Sequence, residues 1–141
     1  MRISFKANCQ FLNNTLEVIA ETNQGYINSK IPIRVKAHCM EQISIVQGGA
    51  EDTLNRFTNF RGTNIALRNT ADAAVLLVEE FGDQYCGMGW IGAIGYRGGQ
   101  TLSTVKKACA LGSFTIGHEV GHNFGCQHNK EIQPWQANVA F

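Results

Sequence analysis

Apolar and polar positions change period several times along the chain, and each change predicts an element. Leu16, Ile19, Ala20, Asn23 and Ile27 keep one helical face, with Thr15 as the expected N-cap and an end near Asn28-Ser29. Ile31, Ile33, Val35, Ala37 and Cys39 then alternate with Pro32, Arg34, Lys36 and His38, which predicts a half-buried strand whose start Pro32 restricts to an unpaired position. Gly48-Gly49 marks a turn. Asp52 or Thr53 is expected to cap a short helix through Leu54 and Phe57, and Ile65 to Arg68 predicts a further helical turn. The unbroken apolar run Ala73 to Val78 suits a central strand covered on both faces. Gly87 to Tyr96 is glycine-rich and apolar, Leu102 to Cys109 predicts another strand, and Ser113 is the expected cap of a helix carrying His118 and His122. Helix, strand, helix, strand, edge strand, helix is a mixed α/β order.

The last of these helices holds the chemistry. His118-Glu119-Val120-Gly121-His122-Asn123-Phe124-Gly125-Cys126-Gln127-His128 fits the pattern H-E-x-x-H-x-x-G-x-x-H. Histidines four apart share one helix face, so His118 and His122 can reach one ion. Gly125 lets the chain leave the helix through a left-handed conformation, which swings His128 towards the same ion. Three neutral imidazoles would fill three corners of a tetrahedron around Zn²⁺ and leave the fourth open, the arrangement of a catalytic and not a structural zinc site. Glu119 can face the water at that corner. Gly121 is expected to allow close packing under the helix. The fourth histidine of the chain, His38, reads as a solvent-facing strand residue.

The motif resembles the zinc signature of the metzincin metallopeptidases, in particular their reprolysin/adamalysin-like branch. Glu21 to Ser29 is similar to that branch's first helix, Leu67-Arg68-Asn69 with Ala71 to Val78 to its next strand, Tyr85 to Gly92 to its upper-rim edge strand, and Phe114 to Gly117 to the lead into the zinc helix. The likeness runs from about Leu16 to His128. It implies an upper subdomain in which a twisted mixed sheet with one antiparallel edge strand lies over the active-site helix. It also implies a zinc-dependent endopeptidase with Glu119 as general base and with Gly89, Trp90, Ile91 and Gly92 binding the peptide substrate by strand pairing. A disulfide between Cys86 and Cys109 and a secreted location follow from the same resemblance. Two positions depart from the pattern. Asn129 stands where such enzymes usually carry Asp, and no methionine follows His128 to form the Met-turn beneath the zinc. Residues 1–141 are therefore read as a single, partial metallopeptidase catalytic domain with the C-terminal subdomain largely absent. Two rival readings stay open: a catalytically inactive zinc-binding fragment or pseudoenzyme acting as a binding module, and a disulfide-bonded secreted binding protein without metal.

Composition narrows the field further. A chain of 141 residues with 44% hydrophobic residues suits one folded domain. The net charge of +1, without runs of like charge, leaves no footprint for nucleic acid or an anionic membrane. No apolar run is long enough to span a bilayer, and the first ten residues hold no apolar signal-peptide core. The five cysteines include no C-x-x-C pair, so a cysteine-based zinc site is not expected, and their odd number leaves the pairing of Cys9, Cys39 and Cys126 open. Asn13-Asn14-Thr15 is a glycosylation sequon.

Overall fold

A computed structural model describes residues 2–6, 12–60, 71–92 and 101–128. In chain order the elements are β1 (Arg2–Lys6), α1 (Leu12–Asn28), β2 (Lys36–Glu41), α2 (Ala50–Asn59), β3 (Ala73–Val78), β4 (Gly87–Gly89), β5 (Leu102–Lys106), α3 (Lys107–Ala110) and α4 (Thr115–Asn123). The helical turn expected at Ile65 to Arg68 lies outside the described residues.

The five strands form one sheet in the order β2-β1-β3-β5-β4. β1 runs parallel to β2 and β3, and β3 parallel to β5, while β4 closes one edge antiparallel to β5. This is the mixed sheet with one antiparallel edge strand that the family resemblance implied. β3 lies at its centre, and all six of its residues are buried. Alternate side chains explain why its sequence shows no polar position. Ala73, Val75 and Leu77 join Val18, Val35, Val105, Ile116 and Val120 on the face covered by α1 and α4. Ala74, Leu76 and Val78 join Leu54, Phe57, Phe81 and Leu102 on the face covered by α2.

Three local expectations are corrected. α1 begins at Leu12, so Thr15 is no cap; it lies inside the helix and is fully buried. The second strand starts at Lys36, not Ile31. Ile31, Ile33 and Val35 do alternate, but the Asn23 side chain claims both polar groups of Val35: its Oδ1 accepts the Val35 N–H at 2.7 Å and its Nδ2 donates to the Val35 carbonyl at 3.0 Å. Those groups are thereby removed from any ladder. Neither Asp52 nor Thr53 caps α2. Its N-cap is Gly49, and the Ala50 N–H donates instead to Asp83 Oδ2 at 2.7 Å, a carboxylate from the loop after β3. The segment Leu102 to Cys109 holds the strand expected there, β5, which ends at Lys106 before α3 begins at Lys107.

Candidate active site

α4 presents His118, Glu119 and His122 in one and a half turns, and the chain must then reverse to bring in His128. The reversal is a Schellman turn. The Gly125 N–H donates to the His122 carbonyl at 2.8 Å and the Cys126 N–H to the Gly121 carbonyl at 3.1 Å, with Gly125 at φ +93°. A side chain at that φ would be strained, so the glycine of the motif is a requirement of the turn.

The three imidazoles converge. Their candidate ligand atoms all lie within 4.8 Å of one another, and Nε2 of His118 is 3.1 Å from Nε2 of His128. Nitrogens bound at the usual zinc distance in a tetrahedron are separated by roughly 3.3–3.4 Å; the His118–His128 pair stands close to that spacing and all three imidazoles are within reach of one ion. His122 Nδ1 lies 2.7 Å from the Cys126 carbonyl oxygen; as an N–H donor there, it leaves Nε2 free to bind metal. Burial, and then the neighbouring His122 and His128, lower the His118 pKa and favour its neutral, ligating form. This donor set fits a zinc ion, which is the cofactor of the site.

Glu119 is buried beside the ligands, 5% exposed, and burial pushes its carboxyl up to about 7. A cation held by the imidazoles would favour the carboxylate again. The room for this side chain comes from β4. A Cβ on Gly87 would stand 2.8 Å from both Cγ and Oε1 of Glu119, and a Cβ on Gly89 would stand 2.6 Å from the Glu119 backbone oxygen. The edge strand and the zinc helix are thus in glycine-mediated contact. Gly121, by contrast, has nothing within 4 Å of such a Cβ. The close approach expected there belongs to Gly117, where a Cβ would meet Thr22 Cγ2 at 3.3 Å.

The edge strand itself is shorter and earlier than expected. Of Gly89, Trp90, Ile91 and Gly92, only Gly89 belongs to β4, and Ile91 and Gly92 form a turn. Much of this segment's backbone is already engaged. The Trp90 N–H donates to the Leu102 carbonyl at 3.1 Å, its carbonyl accepts from Asn123 Nδ2 at 2.7 Å, and the Gly92 N–H donates to the His122 carbonyl at 2.8 Å. The Trp90 indole N–H donates to Thr58 Oγ1 at 2.8 Å, and the ring packs against the α2-side core. Asn123, fully buried, also reaches the Leu102 carbonyl and Ser103 Oγ, each at 3.2 Å. It ties the end of α4 to β5 and the rim, a role that a position between two motif histidines gave no reason to expect. Only the buried, hydrogen-bonding nature of Asn inside a helix could have hinted at it.

Above the three histidines lies a cleft of about 470 Å³, bordered by Tyr85, Gly87, Met88, Phe114, His118 and Glu119 among others. A disulfide joins Cys86, at the entry to β4, to Cys109 in α3, with Cα atoms 5.6 Å apart and a sequence separation of 23. It fastens the edge strand to the segment that leads into α4. In the chain-entropy picture such a loop is worth about 3 kcal/mol. The Cys86→Ser/Cys109→Ser variant should therefore melt roughly 10 °C lower by calorimetry. A change of less than about 2 °C would mean the bridge is energetically idle. Among the described residues Cys126 carries a free thiol.

A mixed sheet with an antiparallel edge strand over a helix of the His-Glu-x-x-His type defines a metzincin-like zinc metallopeptidase domain. Residues 13–129 match the family model of the reprolysin-like M12B metallo-peptidases, and the chain belongs to that family. It is 31% identical over 130 residues to a peptidyl-Asp metalloendopeptidase of Stenotrophomonas maltophilia (strain R551-3), a match covering 87% of this chain and 30% of that protein. It is 30% identical over 128 residues to the protein of the same name from Xanthomonas campestris pv. campestris, with the same two coverages. Zinc metalloproteinase-disintegrin-like brevilysin H2a of Gloydius brevicauda is 32% identical over 95 residues, covering 63% of this chain and 22% of that protein. The chain thus spans less than a third of the length of these relatives. Among solved structures, archaemetzincin from Methanopyrus kandleri shares the fold with a TM-score of 0.59 at 14% identity, over 93% of this chain and 77% of that one. A chain in the structure of a chaperone–substrate complex superposes with a TM-score of 0.75 at 20% identity, over 94% of this chain and 24% of its own length.

Proposed function

We propose that this domain hydrolyses peptide bonds as a zinc-dependent endopeptidase, and the observation that carries the reading is the buried Glu119 carboxyl beside three converging imidazoles on the floor of a cleft. His118, His122 and His128 hold the zinc. The metal, when bound, supplies an acidified water and a polarised carbonyl. Glu119 accepts the proton of the attacking water and returns it to the departing amine. The outer edge of β4, unpaired among the described residues, takes the backbone of an extended substrate by strand addition. With Trp90 and Gly92 engaged elsewhere, Gly87 to Gly89 is the pairing stretch and Trp90 to Gly92 its scaffold. The bridge between Cys86 and Cys109 suits an oxidising compartment, which supports secretion.

The test is hydrolysis of fluorogenic peptides before and after removal of metal. Aspartate-containing peptides come first, because the bacterial relatives are named for them. Cleavage should disappear on chelation and return with zinc. Protein that holds one zinc per chain and still leaves every peptide intact would overturn the reading in favour of a zinc-binding module.

A further inference from the structure

The first turn of α4 carries no cap of its own. Its N-cap is Phe114, and no side chain at that position satisfies the helix's leading N–H groups. Ser113, the cap that the sequence suggested, turns away: its hydroxyl donates to the Cys109 carbonyl at 2.6 Å and contacts Thr115 Oγ1 at 2.7 Å. Phe114 meanwhile sits in the left-handed region at φ +54°, a conformation that an aromatic residue keeps only where its surroundings enforce it.

Those surroundings are on α1. Glu21 Oε1 accepts the Phe114 N–H at 2.8 Å and Glu21 Oε2 accepts the Gly112 N–H at 2.8 Å. One carboxylate thus holds Phe114, the residue that makes the bend, together with Gly112 two positions earlier, across more than 90 positions of sequence. One turn further along α1, Gly25 leaves space for the Phe114 ring; a Cβ there would stand 2.9 Å from ring Cδ1 and 3.1 Å from Cε1. Beside it, Tyr26 donates its hydroxyl proton to the Gly117 carbonyl at 3.0 Å. The Phe114 carbonyl in turn accepts the His118 N–H at 3.0 Å. A continuous path therefore runs from Glu21 through Phe114 to the backbone of the first histidine. The negative charge at the start of α4 also complements the helix dipole.

We propose that Glu21 is a positioning residue of the metal site: by holding Gly112 and Phe114 it sets the bend at Phe114, and through it the placement of His118 against His122 and His128. The inference rests on the reading that these three histidines hold zinc. A residue that merely stabilised the fold would lower the melting temperature and leave the coordination sphere alone.

Zinc affinity by competition with a chromophoric chelator, and the visible spectrum of the cobalt(II)-substituted protein, separate the two. Glu21→Ala should weaken zinc binding by about 10-fold and shift the cobalt bands. Glu21→Gln, which keeps one carbonyl acceptor, should fall between Ala and wild type. Gly25→Ala, which presses on the Phe114 ring from the other side, should change the spectrum in its own right. Glu17→Ala, an equal loss of charge on an exposed face of the same helix, should match wild type. Wild-type zinc affinity and cobalt spectrum in Glu21→Ala would overturn the proposal, and so would an equal loss in Glu17→Ala. If Glu21→Ala fails to fold, Glu21→Gln and Gly25→Ala decide by the same two readouts. A wild-type protein that binds no zinc would instead overturn the reading of the histidines themselves.

Discussion

Glu119→Gln should bind zinc as the wild type does and lose on the order of 1,000-fold in peptide hydrolysis. The substitution keeps size and shape in a site where the side chain is only 5% exposed, so packing against β4 changes little. What it removes is the proposed proton acceptor. Metal retention is expected because the carboxyl is not one of the converging ligand groups, which are His118, His122 and His128. Burial alone raises the Glu119 pKa to about 7, so in the metal-free protein the protonated form gains ground as pH falls below neutrality. A bound cation would oppose that shift and keep the proposed base ionised at neutral pH. Steady-state rates together with metal analysis check the prediction. Undiminished hydrolysis by Glu119→Gln would remove Glu119 from the mechanism, and loss of zinc would recast it as a ligand or a structural prop.

The convergence of the three histidines was legible in the sequence because its geometry is local. Two histidines a helical turn apart, a glycine at the one motif position with positive φ, and a third histidine just beyond the turn all lie within eleven residues. The centre of the sheet was legible for a different reason: a strand covered on both faces has no room for polar residues, and Ala73 to Val78 has none. What failed to show were the features made by residues distant in sequence. Thr15, Thr53 and Ser113 all look like helix caps, yet the leading N–H groups near α2 and α4 are taken by Asp83 and Glu21, carboxylates far away along the chain. A cap is defined by which acceptor arrives, and tertiary packing decides that. The strand start at Lys36 and not Ile31 has the same origin, since alternation reports which side chains are buried and not where the backbone bonds go. Glycine was misjudged likewise. Inside the motif Gly121 is open, while the space that matters is supplied by Gly87, Gly89 and Gly117.

Gly87 therefore leads to the second large expected effect. Gly87→Ala should retain one zinc and fold near the wild-type melting temperature, but lose roughly 100-fold in kcat. The new methyl group would stand 2.8 Å from both Cγ and Oε1 of Glu119 and 3.0 Å from its Cδ, well inside van der Waals contact. The carboxylate is the mobile partner, so it moves, and a shift of about 1 Å in a proton-transfer group costs about two orders of magnitude. The histidines are not among the nearest atoms, so the metal stays. Gly89→Ala provides the contrast. Its Cβ would meet the Glu119 backbone oxygen at 2.6 Å, and a helix backbone cannot turn aside as a side chain can. That variant should lower both the melting temperature and the zinc affinity. Separate measurement of kcat, KM, zinc content and thermal stability for the two variants distinguishes a displaced base from a displaced helix. Normal kcat in a zinc-loaded, stably folded Gly87→Ala protein would show that the edge strand does not set the position of Glu119.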